Sequence, residues 1–364
     1  MTKTSSVNLR IPGPTPLPPE VLKATSRQMI NHRAHHYEEM QARILTNLKH
    51  FFQTENEIYL LTASGMGGLE AAVVNFFSPG DRILSFTCGE FGNRWADVAR
   101  AYGADVFQTK FPPHTGVDKD EFAKVLESQK GIKGVFITHN ETSSGVLNDI
   151  NELAPLVHDH PDKPLLLIDS ISALGAVNLP MDSWGVDVLV TASQKGWMAP
   201  PGLSMIAVSE KAWEFYKLSK MPRYYWDLSM YKKFNEKNQT PATPAVSALY
   251  GLDASLQLML REGRNNIYNR HLEIMDSARR GLEELGLQLF VSEKYASPTV
   301  TSFVIPQDID GHELLQTLRE KHHVVLAGGM GETKGKIIRI AHMGYVSKKD
   351  IEGVLESLKQ TLNK

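Results

Sequence analysis

Residues 165–204 read LLLIDSISALGAVNLPMDSWGVDVLVTASQKGWMAPPGLS, and their pattern decides the fold. An apolar run, Pro164 to Ile168, closes on the acid Asp169. A second run, Val186 to Thr191, closes on Ala192-Ser193-Gln194-Lys195. Both are short, rich in leucine or β-branched residues and ended by small polar ones, which predicts strands buried on both faces of a parallel sheet. In an open α/β sheet, ligands sit beyond the carboxyl ends of the strands. An acid at one such end and a lysine just past the other therefore face the expected site. Beyond Lys195 the chain makes an apolar, proline-containing turn, Gly196-Trp-Met-Ala-Pro-Pro-Gly202, with a further apolar segment behind it. A fully solvated lysine needs no such walls.

Pyridoxal 5'-phosphate (PLP) is a cofactor that uses both groups. A lysine amine condenses with its aldehyde, and a carboxylate keeps the pyridine nitrogen protonated so that the ring acts as an electron sink. Ser193-Gln194-Lys195 followed by Ala199-Pro200-Pro201-Gly202 resembles the cofactor-lysine signature of the class V (fold-type I) aminotransferases. The similar branch is that of alanine–glyoxylate and serine–glyoxylate or serine–pyruvate aminotransferases, and the resemblance runs from about Pro12 to the C-terminus. It implies an α/β fold: a PLP fold-type I large domain on a mostly parallel sheet of the seven-stranded type, and a smaller C-terminal α+β domain. The expected division is an extended arm over 1–19, the large domain over 20–262 and the small domain over 263–364.

Composition agrees with a two-domain enzyme and excludes other classes. A chain of 364 residues is long for one core. Lys+Arg 39 against Asp+Glu 41 leaves a net charge of -2, no footprint for nucleic acid or an acidic lipid surface. The lone cysteine, Cys88, cannot build an internal disulfide or hold a nickel–iron or iron–sulfur centre, so a hydrogenase subunit is disfavoured. No apolar run reaches the roughly 18 residues that span a bilayer, and the N-terminal MTKTSSVNLRIPGP has no signal-like apolar core. The expectation is a cytoplasmic protein without membrane or nucleic-acid partners.

The N-terminal prolines, Pro12, Pro14, Pro16, Pro18 and Pro19, predict an extended arm that gives way to a helix near Glu20. In the resembling family this arm packs on a dimer partner and Gly13 borders the substrate pocket. His32, His35 and His36 would share a face if helical. A polar loop is preferred to a metal site, because zinc wants three or four ligands, and Arg33 there is a candidate substrate contact. Glu57–Thr62 reads as a strand and Leu69–Phe77 as the following helix. The turn between them, Ala63-Ser64-Gly65-Met66-Gly67-Gly68, can cup a phosphate on free backbone N–H groups. It is not a dinucleotide fingerprint, since Glu70 stands where the third glycine belongs.

Other site residues follow from the resemblance. Ser64, Gly65 and Met66 match the phosphate-binding turn, with Gln194 and Thr243. Phe91 stands where the family often has a tryptophan over the pyridine ring, and Ile171 lies on the opposite segment, after Asp169. The segment His139-Asn140-Glu141-Thr142-Ser143-Ser144-Gly145 resembles the family's T-H-x-E-x-S-x-G, and Thr142 matches a serine that hydrogen-bonds the cofactor's phenolic oxygen. Thr240 occupies a position that is tyrosine in some members. The loop 238–244 crosses to a neighbouring subunit in the family, implying a homodimer. The aromatic, basic stretch before it, 217–239, is read as a lid or dimer surface.

In the small domain, strands are expected near Leu287–Ser292, Thr299–Pro306 and Lys336–Ile340, with helices at Gly311–His322 and Lys348–Leu362. Strand alternation puts Arg339 on the opposite face from Ile338 and Ile340. Its planar fork suits a substrate carboxylate, the role of the matching family arginine.

The expected activity is transamination between a small amino acid, alanine or serine, and a small 2-oxo acid, glyoxylate or pyruvate. Lys195 and Asp169 are the catalytic pair. Alternatives within the fold are another donor such as aspartate, or a cysteine desulfurase. The desulfurase would need histidine before the lysine and a mobile cysteine in the second half of the chain, and this sequence has Gln194 and only Cys88.

Overall fold

The computed structural model describes residues 7–362. Seven strands form the main sheet: β1 (Glu57–Thr62), β2 (Arg82–Thr87), β3 (Asp105–Lys110), β4 (Ile132–Thr138), β5 (Leu165–Asp169), β6 (Val188–Ala192) and β7 (Leu203–Val208). Their order is β1-β7-β6-β5-β4-β2-β3. Only β7 runs antiparallel, pairing with β1 and β6, and the other pairs are parallel. The sheet is thus the mostly parallel, seven-stranded one that the sequence implied.

All residues of β5 and β6 are buried. Alternate side chains feed two different cores, since successive residues of a strand point to opposite faces. Leu166, Ile168 and Leu189 join the core under helices α2 (His35–Phe52) and α5 (Val246–Glu262). Leu165, Leu167, Val188 and Val190 join the core under α3 (Gly65–Phe76) and α4 (Glu90–Ala101). Having no polar face, these two strands must lie in the middle of the sheet, and their ends open between the helical layers.

The chain leaves this sheet along α5 and breaks at Gly263, whose φ of +84° suits glycine. Arg270 of α6 (Arg264–Glu284) reaches back over the break to Glu262 at 2.6 Å. A three-stranded sheet follows, in the order β8 (Val300–Val304), β10 (Ile337–Ala341), β9 (Ala327–Gly328). Helices α6, α7 (Gly311–His322) and α8 (Lys348–Leu362) close its core on Ile338, Ile340 and Phe303. Residues 287–292 are not the expected strand. They touch β8 only through an isolated bridge, Leu289 to Phe303, and two flanking hydrogen bonds. Burial of Leu287 and Val291 with exposed or half-exposed residues between them mimics strand alternation without a full ladder.

Two further segments differ from their sequence reading. Helix α3 starts at Gly65, four residues before the expected Leu69, so the glycine turn is itself the first helical turn. His35 begins α2 after the turn at 31–34, and it pairs with Glu39 at 3.2 Å and Glu38 at 3.9 Å, so carboxylates do stand at helical spacing from it. Among the described residues, no group of three His, Cys, Asp or Glu is placed to hold a metal ion. The N-terminal arm is pinned to the small sheet region, where Asn8 and Leu9 pair in parallel with Val324 and Val325. No described helix is long and apolar enough to cross a membrane.

Burial of β5 on both faces gives a direct stability prediction. Leu167→Ala should lower unfolding free energy by about 2–5 kcal/mol, the cost of a core cavity. A denaturation midpoint equal to wild type would contradict the two-core packing.

Candidate active site

The site grows from the ends of β4, β5 and β6. Asp169 is the last residue of β5 and is buried. Its Oδ1 accepts the Ile171 N–H at 2.9 Å. One hydrogen bond is thin compensation for a buried carboxylate, and burial raises its pKa to about 7. Lys195 lies three residues past β6. The turn after it folds back on itself: Met198 N donates to the Lys195 carbonyl and Ala199 N to that of Ser193. The walls seen in the sequence are packed there, with Trp197 fully buried and stacked on Phe52 at 5.8 Å. Burial lowers the Lys195 pKa to about 8, against the attraction of Asp169 and with the repulsion of Arg339.

The arm completes the lysine's surroundings. Lys195 Nζ donates to the Pro12 carbonyl, and Thr15 Oγ1 donates to the Lys195 carbonyl at 3.2 Å. A side chain at Gly13 would stand 2.7 Å from both Cδ and Nζ of Lys195, where φ is also +94°. Only glycine lets the arm run against the lysine.

Around this pair stand the other sequence-predicted residues. Ser64 is the N-cap residue of α3 but makes no side-chain cap, so the first N–H groups of Gly65 and Met66 face outward without one. A Cβ at Gly65 would come 2.6 Å from Ile171 Cδ1, which places the phosphate turn against the segment after Asp169. Phe91 is in the first turn of α4, with Arg94 5.4 Å from its ring centroid. Thr142 is buried and donates through Oγ1 to Ser172 at 2.7 Å.

Arg339 faces away from the Ile338–Ile340 core, as alternation requires. Its Nε donates to the Gly328 carbonyl at 2.9 Å and its Nη1 to that of Thr142 at 2.8 Å. One carbonyl from the small-sheet region and one from the turn after β4 therefore aim the guanidinium, and burial holds its pKa down at about 10.

Thr240 and Thr243 stand apart. Thr240 is buried in a loop whose carbonyls at 240 and 241 accept from Arg33 at 2.6 and 3.2 Å. Thr243 is exposed, and among the described residues neither threonine is hydrogen-bonded to Lys195. Arg33 is a strut for that loop and is not a free substrate contact. Sequence reasoning passed over Glu141, Ser172 and the carbonyls of Pro12 and Gly328. Glu141 was visible inside the T-H-x-E segment, but carbonyls carry no side-chain signal.

The residues present fit PLP. Asp169 is an under-compensated buried acid, and the start of α3 offers uncapped N–H donors. A buried lysine, a buried acid and a helix N-terminus at the strand ends define a fold-type I PLP enzyme. The chain belongs to the class V aminotransferases, whose family profile, Aminotransferase class-V, matches residues 7–354. It is 35% identical to L-aspartate–glyoxylate aminotransferase of Paracoccus denitrificans, over 94% of this chain and 88% of that protein. A Synechococcus protein named soluble hydrogenase, small subunit, is 39% identical over 97% of this chain and 92% of its own length. The crystal structure of an alanine–glyoxylate aminotransferase from Nostoc superposes with a TM-score of 0.94 at 30% identity, covering 99% and 96% of the two chains. The protein is an aminotransferase and its cofactor is PLP.

The shifted acid predicts a pH dependence in the cofactor-free protein. Asp169 has a folded pKa raised from 3.8 to about 7, so its favourable contribution is complete below pH 4 and lost as pH rises to 7. Asp169→Asn should therefore make the apoprotein more stable than wild type at pH 8, with the difference shrinking at pH 4.5. Denaturant midpoints at the two pH values measure this, and a variant less stable at pH 8 would contradict it.

Proposed function

We propose that this aminotransferase moves the amino group of alanine or serine to glyoxylate or pyruvate. The supporting observation is the guanidinium inventory. Arg339 is aimed by two carbonyls and keeps its remaining donors for one carboxylate. The other candidates for a second clamp are engaged elsewhere. Arg33 holds the 239–241 loop and lies 5.0 Å from the Phe234 ring. Arg223 donates to the Val74 carbonyl at 3.1 Å and Ser219 at 3.0 Å, 4.4 Å from the Tyr216 ring. A side-chain carboxylate would be desolvated without a cation, which is costly. Glyoxylate and pyruvate avoid that cost.

Bound PLP supplies an aldehyde for the amino group and a ring that withdraws electrons from the substrate's Cα. Arg339 binds the substrate carboxylate and fixes its orientation. Lys195 Nζ takes the proton from Cα and returns it, a task helped by a pKa already lowered toward neutrality. Asp169 holds the proton on the ring nitrogen through its carboxylate. Ser64, Gly65, Met66 and Gln194 bind the phosphate, Phe91 and Ile171 flank the ring, and the Thr142 hydroxyl, turned from Ser172, donates to the phenolic oxygen. Gly13 leaves room beside Lys195 for the substrate. Thr243, exposed on its loop, reaches the phosphate of a second copy, while the Thr240 contact is shortened or lost because its buried hydroxyl donates to the Ala242 carbonyl; the working form is a homodimer, placed in the cytoplasm.

Two measurements test this reading. Lys195→Ala should remain folded, retain PLP non-covalently and show no steady-state transamination; sustained turnover would remove Lys195 from its role. Wild-type kcat/KM for glyoxylate should exceed that for 2-oxoglutarate at least about tenfold, an advantage of roughly 1.4 kcal/mol. Equal values would favour a second clamp and an aspartate-type donor, the donor named for the Paracoccus relative.

A further inference from the structure

Glu141 is completely buried, and no Lys, Arg or His side chain pairs with it among the described residues. Its carboxylate is satisfied instead by four donors from two elements. Oε2 accepts the N–H groups of Phe91 and Gly92, both at 3.1 Å. Oε1 accepts Ser143 N at 3.0 Å and Ser143 Oγ at 2.6 Å. Ser143 Oγ in turn accepts the Glu90 N–H at 3.1 Å. The first turn of α4 is thus capped from outside its own sequence, by an acid on the turn that follows β4. The local N-cap position, Gly89, carries no side chain to do so. Burial pushes the Glu141 pKa up, while these donors and the positive end of the helix favour the anion.

The two elements so joined carry the ring-facing Phe91 and, next to Glu141, Thr142. The Thr142 carbonyl is one of the two that aim Arg339. We propose that Glu141 is a positioning residue for transamination: its buried carboxyl group locks the Phe91 ring to the turn bearing Thr142. This rests on the placement of Phe91 and Thr142 at the cofactor given above.

The chemistry of the alternatives shows why a carboxylate is needed. An amide has one acceptor oxygen, and its NH2 would confront either the α4 N–H pair or Ser143, so Glu141→Gln must release one side. Gly89→Ala disturbs the same lock without removing the acid. Its backbone is extended, at φ 172°, and open to any residue. The new Cβ would stand 2.5 Å from both Glu141 Cγ and Ser143 Oγ, forcing the carboxylate away from α4.

The test uses the PLP-loaded enzyme and four variants: E141Q, G89A, F91A and the E141Q/F91A double. E141Q and G89A should keep PLP, shift the visible circular dichroism of the bound cofactor and lose about 10- to 100-fold in kcat, the cost of misplacement by about an ångström. KM for glyoxylate should not rise, because the Gly328 carbonyl, which Glu141 does not touch, still aims Arg339. The double variant should be no slower than F91A. Wild-type kcat in E141Q, a raised KM with kcat unchanged, or costs that multiply in the double would each overturn the proposal. Should E141Q fail to fold, wild-type kcat in G89A overturns it alone. F91A at wild-type rate would refute the Phe91 placement and the coupling with it. That differs from a slow F91A beside a wild-type E141Q, which refutes Glu141 only.

Discussion

Everything at this site depends on keeping a carboxylate and an ammonium group out of water at the ends of adjacent strands. Asp169 ends β5, Lys195 follows β6, and both are buried. Desolvation works against both charges, raising the acid and lowering the lysine. The protein is thus held away from its own electrostatic optimum, the condition of many functional sites. In the proposed role, Asp169 and Lys195 would each gain a partner from bound PLP, the acid at the ring nitrogen and the lysine at the aldehyde.

The scaffold exists to maintain that condition. Strands without a polar face force β5 and β6 into the middle of the sheet. The Trp197 turn then seals the lysine from one side, and the Pro12–Thr15 arm seals it from the other. Gly13 is required because the arm passes in contact with the lysine side chain. Arg339 reaches the same space from the small sheet, held by the Gly328 and Thr142 carbonyls. The arginine's aim is therefore sensitive to how the two sheets sit together, and the Arg270–Glu262 pair spans the Gly263 break between the helices that link them.

Much of this was legible from the sequence because it depends on side-chain type and period. The doubly buried strands, the Asp169 and Lys195 positions and the outward face of Arg339 follow from patterning alone. Helices α7 and α8 begin and end at the expected residues, Gly311–His322 and Lys348–Leu362. What was not legible has a physical reason in each case. A glycine-rich turn looks like a loop, yet Gly65–Gly68 is helical because α3 packs so close that side chains at Gly67 and Gly68 would strike Trp226 and Val190. The Leu287–Val291 alternation fits a strand, yet only one bridge forms. Arg33 looked like a substrate contact, and only the three-dimensional loop shows where its donors go. Glu141 looked like one letter of a motif until its four donors were in place.

The name soluble hydrogenase, borne by the Synechococcus relative, does not describe the chemistry of this chain. Its single cysteine, Cys88, is buried, receives a hydrogen bond from Asn148 at 3.6 Å, and has its thiol pushed up to about 12 chiefly by burial. In the function proposed above, the reactive nitrogen is that of Lys195. The most direct measurement is borohydride reduction of the PLP-loaded protein followed by peptide mass mapping. The phosphopyridoxyl mass should appear on the peptide containing Lys195 and on no other. Labelling of a different lysine, or none on Lys195, would contradict the account.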